Sequence, residues 1–269
     1  MNRRFHKMHG LGNDFVVVDA REDGFAFDAA GARAVADRRT GVGCDQLIVV
    51  GPATGADVSM RIWNADGSEV EACGNATRCV AALVGRDCTI DTPGGLLRAT
   101  LTGEGVAVDM GAPRFGWNEI PLAYAMDTAA MPVGWGPLET PFAVNVGNPH
   151  VVFFVDDVEA VPLDELGRGI ETDPLFPERI NVNIAQVIDR RTIRSRTWER
   201  GVGLTRACGT GACAVAVAAI ARRLADGPVT IHLPGGPLAI DWTPGGSILM
   251  TGPATHVFTG ELDAELLRA

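Results

Sequence analysis

The sequence predicts an α/β protein of the α+β type, built as two similar domains from an internal duplication. Three observations predict it. An Ala-Cys-Gly turn opens an apolar, alanine-rich stretch twice, at Ala72-Cys73-Gly74-Asn75 and at Ala207-Cys208-Gly209-Thr210. A single offset of 135 residues superimposes Asn13 on Asn148, Gln46 on Asn181, Asn64 on Glu199 and Cys73 on Cys208. The 33 Gly and 16 Pro among 269 residues call for many tight turns, which favours a strand-rich mixed fold.

Taken in order, His9 to Asp19 reads as a turn followed by a strand. Phe27 to Arg39 reads as a helix with Asp28 as its N-cap. A glycine loop then leads to the apolar strand Leu47–Val50, and Val58–Asn64 alternates as a second strand. Asp66-Gly67 signals a hairpin, after which comes the first cysteine turn and its helix. Thr89 to Asp109 reads as short strands broken at glycines, and Gly111 to Pro141, rich in Pro, Gly and Trp, reads as a connector. From Val146 the pattern starts again: turn and strand to Asp156, helix over Glu159–Ile170, loop and strand at Arg179–Val187, strand at Ile193–Trp198, then the second cysteine turn. Pro93 to Pro234 and Gly111 to Gly252 are 141 apart, so the second copy gains six residues after its cysteine. The period is far longer than that of a solenoid. The expected domains are residues 1–116 and 117–252, related by a pseudo-two-fold axis, with a ligand site in the cleft between them.

Composition narrows the chemistry. The net charge is −10, from 23 Lys and Arg against 33 Asp and Glu, and only 6% of residues are aromatic. Both argue against a nucleic-acid or anionic-membrane partner. The longest apolar run, Ala212 to Ala221, has ten residues, about half of what a membrane span needs. With no apolar stretch after the charged N-terminal residues, the expected location is cytoplasmic. The only lysine is Lys7, outside any P-loop or Schiff-base context, which argues against a pyridoxal-phosphate enzyme and a P-loop nucleotide site. The six cysteines lack the close pair spacing of zinc sites, so no metal is expected and reduced thiols are the default.

A cysteine at a helix N-terminus lies beside free N–H groups and the positive end of the helix dipole, which lowers a thiol's pKa. Two matched thiols suit inversion of a carbon centre, in which one base removes a proton and an acid returns one to the opposite face. Without pyridoxal phosphate, the carbanion formed at an amino acid's α-carbon needs hydrogen bonds to its carboxylate and exclusion of water. Gly74, Asn75, Gly209 and Thr210 are placed to offer N–H groups, and Asn13, Gln46, Asn64, Asn148 and Asn181 add neutral polar groups at matched loop ends. Glu199 and Arg200 offer a carboxylate for an ammonium and a guanidinium for a carboxylate. The plainer readings are buried structural cysteines (the reading for Cys44, Cys79, Cys88 and Cys213), turn-forming amides and a surface ion pair. Rival functions are a proline or hydroxyproline racemase, which has no distal centre for Glu199-Arg200, and a thiol-redox or thiol-metal protein.

Met8-His9-Gly10-Leu11-Gly12-Asn13-Asp14-Phe15, Asn64-Ala65-Asp66-Gly67-Ser68-Glu69, Ala72-Cys73-Gly74-Asn75, Gly147-Asn148-Pro149-His150, Glu199-Arg200-Gly201 and Ala207-Cys208-Gly209-Thr210-Gly211-Ala212-Cys213 together resemble the diaminopimelate epimerase family, from about residue 7 to residue 260. The resemblance implies cofactor-independent interconversion of LL- and meso-2,6-diaminopimelate in lysine and cell-wall precursor synthesis. It also implies domains that are each a β-roll around a helix, a tail over residues 253–269 that rejoins the first domain, and a homodimer. By position it assigns Cys73 and Cys208 as the acid/base pair. Asn13, Gln46, Asn64, Asn148 and Asn181 become substrate contacts, Gly74-Asn75 and Gly209-Thr210 the carboxylate-holding turns, and Glu199 and Arg200 the distal contacts. His150 and Glu199 match positions that tune the thiols. Ala76 departs from the family's usual glycine, at a cost of about 1 kcal/mol if that position is left-handed.

Overall fold

A computed structural model describes residues 2–71, 73–264 and 266; Ala72 of the first cysteine turn and Glu265 and Leu267 to Ala269 of the returning tail lie outside the described residues. The chain divides into two compact units, Met1–Val108 with Gly252–Ala269, and Asp109–Thr251. In chain order the first run holds β1 (Arg3–Gly10), β2 (Asn13–Asp19), α1 (Ala29–Ala36), β3 (Gln46–Gly51), β4 (Val58–Asn64), β5 (Glu69–Val70), α2 (Gly74–Val84), β6 (Cys88–Thr92), β7 (Gly95–Thr102) and β8 (Gly105–Asp109). A small hairpin follows, β9 (Gly134–Trp135) and β10 (Leu138–Glu139). The second run holds β11 (Phe142–Asn145), β12 (Pro149–Phe154), α3 (Leu163–Glu171), β13 (Asn181–Asp189), β14 (Thr192–Glu199), β15 (Gly203–Thr205), α4 (Gly209–Ala221), β16 (Val229–Leu233), β17 (Gly236–Asp241) and β18 (Leu249–Gly252), and β19 (Thr255–Leu262) ends the series.

The duplication extends to strand register. In the first unit β1–β2 is antiparallel, β2–β3 parallel, β3–β4 and β4–β5 antiparallel, β4–β6 parallel and β6–β7 antiparallel. In the second, β11–β12, β12–β13, β13–β14, β14–β15, β14–β16 and β16–β17 repeat that sequence of senses. Phe15 faces Gln46 and His150 faces Asn181; Leu47 faces Trp63 and Val182 faces Trp198. The offset of 135 therefore superimposes hydrogen-bonded partners as well as motifs.

The central strands of each unit, β2 and β3 in the first and β11 and β12 in the second, are buried on both faces, as their apolar runs require. In the first unit Val16, Val18, Leu47, Val49 and Trp63 pack with Ala32 and Val35 of α1. Alternation sends Phe15, Val17, Ile48, Met60 and Ile62 to the other face, and α2 packs against β1, β2, β6 and β7. In the second unit Val151, Phe153, Val182 and Ile184 pack with Leu163 and Ile170 of α3. There α4 packs against β11, β12, β13, β14, β16 and β17. Its residues from Gly211 to Ala219 are all buried, as a helix apolar on every side must be.

Several elements differ from the sequence reading. The first helix is shorter, Ala29–Ala36, but Asp28 does cap it, accepting from Gly31 N at 2.8 Å. The helix expected from Glu159 begins only at Leu163, because Pro162 sets its start. The strand β1 was not read from its charged sequence; it becomes a strand because β19 pairs with it antiparallel from Arg3↔Leu262 to His9↔Thr255. Ala76 lies inside α2, is fully buried and has no positive φ, so the substitution carries no left-handed strain. Among the described residues, no helix is long and apolar enough to cross a membrane.

Candidate active site

The first cysteine turn is organised by its own strands. Cys73 is the N-cap of α2, with extended backbone (φ −148°, ψ 113°), and its carbonyl accepts Thr77 N–H and Thr77 Oγ1–H, both at 2.9 Å. Its Sγ lies 3.9 Å from Asn13 Oδ1, at the long end for a thiol donor. Asn75 Nδ2 donates to the same oxygen at 3.1 Å, and Arg78, fully buried, donates to Asn75 Oδ1 at 2.7 Å. Gly10 permits this approach: a Cβ there would meet the Arg78 guanidinium at 3.0 Å and Asn75 Cβ at 3.1 Å. On its other side Asn13 Nδ2 donates to Asp45 Oδ2 at 3.0 Å. Arg38 ties Asp45 to Asp14 at 2.8 and 2.6 Å, and Lys7 bonds both Asp14 and the Gly43 carbonyl. Burial alone would raise the Asp14 carboxyl, but Arg38 and Lys7 outweigh it and hold it at about 2. The single lysine thus braces the loop that carries Asn13. Across β3 and β4, Gln46 Nε2 donates to Asn64 Oδ1 at 3.0 Å and Asn64 Nδ2 to Ser68 Oγ at 3.1 Å. Gln46 Oε1 is buried with no hydrogen-bond partner among the described residues.

The second turn has the same backbone and other partners. Cys208 caps α4 in extended conformation (φ −116°, ψ 109°), and its Sγ accepts from Gly211 N at 3.3 Å and lies 3.5 Å from Thr210 Oγ1. Gly211 is required for close approach, since a Cβ there would lie 2.7 Å from Asn183 Oδ1 and 2.9 Å from Thr197 Oγ1. The Glu199 carboxylate accepts from Thr205 Oγ1 at 2.5 Å and from the Cys208 thiol. The helix end was expected to lower this thiol's pKa. Instead burial, and then the Glu199 charge, push it well above its ordinary value, outweighing the Thr210 and Gly211 hydrogen bonds. In this arrangement Cys208 is a thiol whose proton faces a carboxylate.

Around it, Asn181 is buried with its amide engaged on both sides: Nδ2 donates to Pro149 O at 2.8 Å and Oδ1 accepts Arg200 N–H at 2.9 Å. The turn carrying Glu199 and Arg200 is held by buried Glu171, which accepts from Trp198 Nε1 and Gly201 N, both at 2.8 Å. His150 is fully buried between Asn148 Oδ1 (2.9 Å from Nε2) and Asn183 Nδ2 (3.1 Å from Nδ1). Burial, reinforced by the Arg200 charge, drives its pKa down to about 3, so the ring is neutral. Asn148, Asn145, Glu178 and Arg200 line an open polar recess of about 320 Å³ within this unit.

The sequence reading named Asn13, Cys73, Asn75, Glu199 and Cys208 as site residues; in the structure Asn13 lies against Cys73 and Asn75, and Glu199 against Cys208. It missed Asp45, Arg78, Asn183, Thr197, Thr205 and Glu171, which hold those residues. Two left a signal: Arg78 is a cation early in an apolar helix, and Asn183 is an amide in a buried strand. The remaining cysteines, Cys44, Cys79, Cys88 and Cys213, are buried, and burial pushes Cys44 up to about 11 and Cys79 to about 12.

Known proteins share this plan. The sequence model of the family described as diaminopimelate epimerase matches residues 5–116 and 142–257. The diaminopimelate epimerase of Rhizorhabdus wittichii is 66% identical over 98% of this chain and 96% of its own length. That of Zymomonas mobilis is 62% identical over 98% of both chains. A hydroxyproline epimerase structure from Agrobacterium vitis superimposes with a TM-score of 0.67 at 15% identity, covering 99% of this chain and 94% of that one, and so shares the two-domain fold. With both repeats inside the family match and such identity along almost the whole chain, the chain belongs to the diaminopimelate epimerase family.

Proposed function

We propose that this isomerase, an amino-acid epimerase of lysine and peptidoglycan precursor synthesis, interconverts LL- and meso-2,6-diaminopimelate without a cofactor, using Cys73 and Cys208 as its two bases. The observation that carries the reading is the pair of thiols at equivalent helix N-caps in two units of identical register. In one direction Glu199 takes the Cys208 proton, and Gly211 N–H and Thr210 Oγ1–H stabilise the thiolate. The thiolate removes the α-proton, forming S–H as Cα–H breaks, while Cys73 S–H delivers a proton to the opposite face. The reverse direction exchanges these roles. The first-turn N–H groups of α2 and α4, at Gly74-Asn75 and Gly209-Thr210, are the donors for the reacting carboxylate, where charge develops. Gln46 Oε1, a buried acceptor, suits a substrate ammonium, and Arg200 with Asn148 suits a carboxylate.

We further propose, from the family resemblance, a cytoplasmic homodimer; light scattering should read twice the chain mass. The central experiment is incubation of the reduced protein, without pyridoxal phosphate, with LL-diaminopimelate in D₂O. Meso product carrying α-deuterium is the expected result. Folded, reduced protein that exchanges proline or hydroxyproline but not diaminopimelate would overturn the substrate.

A further inference from the structure

Asn183 belongs to no motif and touches no expected substrate position, yet its hydrogen bonds determine how one such position faces the recess. It lies on β13, fully buried. Its Nδ2 donates to Val151 O at 3.0 Å, and its Oδ1 accepts from Thr197 Oγ1 at 3.0 Å. A backbone carbonyl can only accept, so Val151 settles which end of the Asn183 amide is nitrogen. That nitrogen also lies 3.1 Å from His150 Nδ1. Nδ1 must therefore be the unprotonated, accepting nitrogen of a neutral ring, and the proton sits on Nε2. Nε2–H then donates to Asn148 Oδ1 at 2.9 Å. With its oxygen so engaged, the half-exposed Asn148 turns its NH₂ group away from His150, toward the recess it lines with Arg200, Glu119 and Glu178. Each step is forced by the one before it, starting from the Val151 carbonyl.

We propose that Asn183 is a positioning residue for substrate recognition: through the Nε2–H tautomer of His150 it fixes Asn148 with its amide donors toward the recess, where they join the Arg200 guanidinium as donors for a substrate carboxylate. The proposal rests on Asn148 contacting substrate. His150 acts here as a neutral relay, and Thr197 secures the acceptor end of Asn183 beneath the first turn of α4. A reversed tautomer would turn the Asn148 carbonyl outward and set it against an anionic group.

The test begins with the wild-type protein labelled at histidine ¹⁵N. The His150 signals should show Nε2 protonated and Nδ1 bare from about pH 6 to 8. An Nδ1–H tautomer or an imidazolium in that range would overturn the relay, whatever any variant does. Asn183→Leu should then abolish the single tautomer and raise KM for diaminopimelate about 10- to 100-fold, with kcat changed far less. Thr197→Val, which keeps the Val151 anchor, should keep the tautomer and leave KM nearly unchanged. Loss of the tautomer in N183L with an unaltered KM would sink the recognition role. If the wild-type protein does not turn over diaminopimelate, the proposed function fails, while the ¹⁵N measurement still decides the relay.

Discussion

The two cysteine turns share a backbone and set different groups against sulfur. Both cysteines are extended N-caps, and both helices follow a strand pair of the same register. Yet Cys73 faces an amide oxygen that Asp45 and Arg78 hold in place, whereas Cys208 faces a carboxylate and accepts from Gly211 N–H. The equivalent positions explain the divergence. Asn64 corresponds to Glu199, Phe15 to His150, Ile48 to Asn183 and Arg78 to Cys213. Even the matched asparagines are turned oppositely: Asn13 gives its NH₂ to its anchor Asp45, while Asn148 gives its oxygen to His150. The duplicated frame sets where each thiol stands, and a few strand substitutions set its chemistry.

The largest effect should come from removing either thiol. Cys73→Ser or Cys208→Ala should each lower kcat about 10³-fold or more while circular dichroism and thermal unfolding stay near wild type. A folded single variant with near-native turnover would break the two-base comparison. Next comes the Glu199 carboxylate, at the position where the first unit carries Asn64. Glu199→Gln should cost roughly 100-fold in kcat because Cys208 loses its proton acceptor. Because the Glu199 charge raises the Cys208 pKa, the same change should shift iodoacetamide labelling of Cys208 to lower pH. Turnover and labelling moving in the same direction would refute the role.

A smaller effect separates the helices themselves. Arg78→Met strips donors from Asn75 Oδ1 and the Pro253 carbonyl and should destabilise the protein by about 2–3 kcal/mol in denaturant titrations. Cys213→Ala, at the equivalent place in α4, trims a small, fully buried side chain that carries no guanidinium and should cost about 1 kcal/mol. Equal losses would mean that the Arg78 chain carries no weight. The smallest effect concerns acid stability. Asp14 is depressed from 3.8 to about 2, so its contribution is full above 3.8 and fades as pH falls toward 2. Lys7→Met should therefore lose about 1 kcal/mol at neutral pH, and the difference from wild type should shrink below about pH 4. A gap that persists at pH 2 would place the lysine's role elsewhere.

By itself the sequence determined the duplication, the two cysteine turns, the apolar strands and the matched polar positions, because each is written in local pattern and constant spacing. Glycine turns, strand alternation and an all-apolar helix report burial directly, and burial is what periodicity encodes. Tertiary structure alone decided the rest. The charged segment of β1 is a strand only because β19, some 250 residues later, pairs with it. Cys208 is a thiol rather than a thiolate because a buried helix start brings Glu199 against it, a cost that no helix-end rule contains. The directions of Asn13 and Asn148 follow from Asp45 and His150, and that of His150 from Asn183, 33 residues away. A hydrogen bond's direction depends on which donor-only or acceptor-only group stands opposite, and those groups come from strands that only the folded sheet makes neighbours.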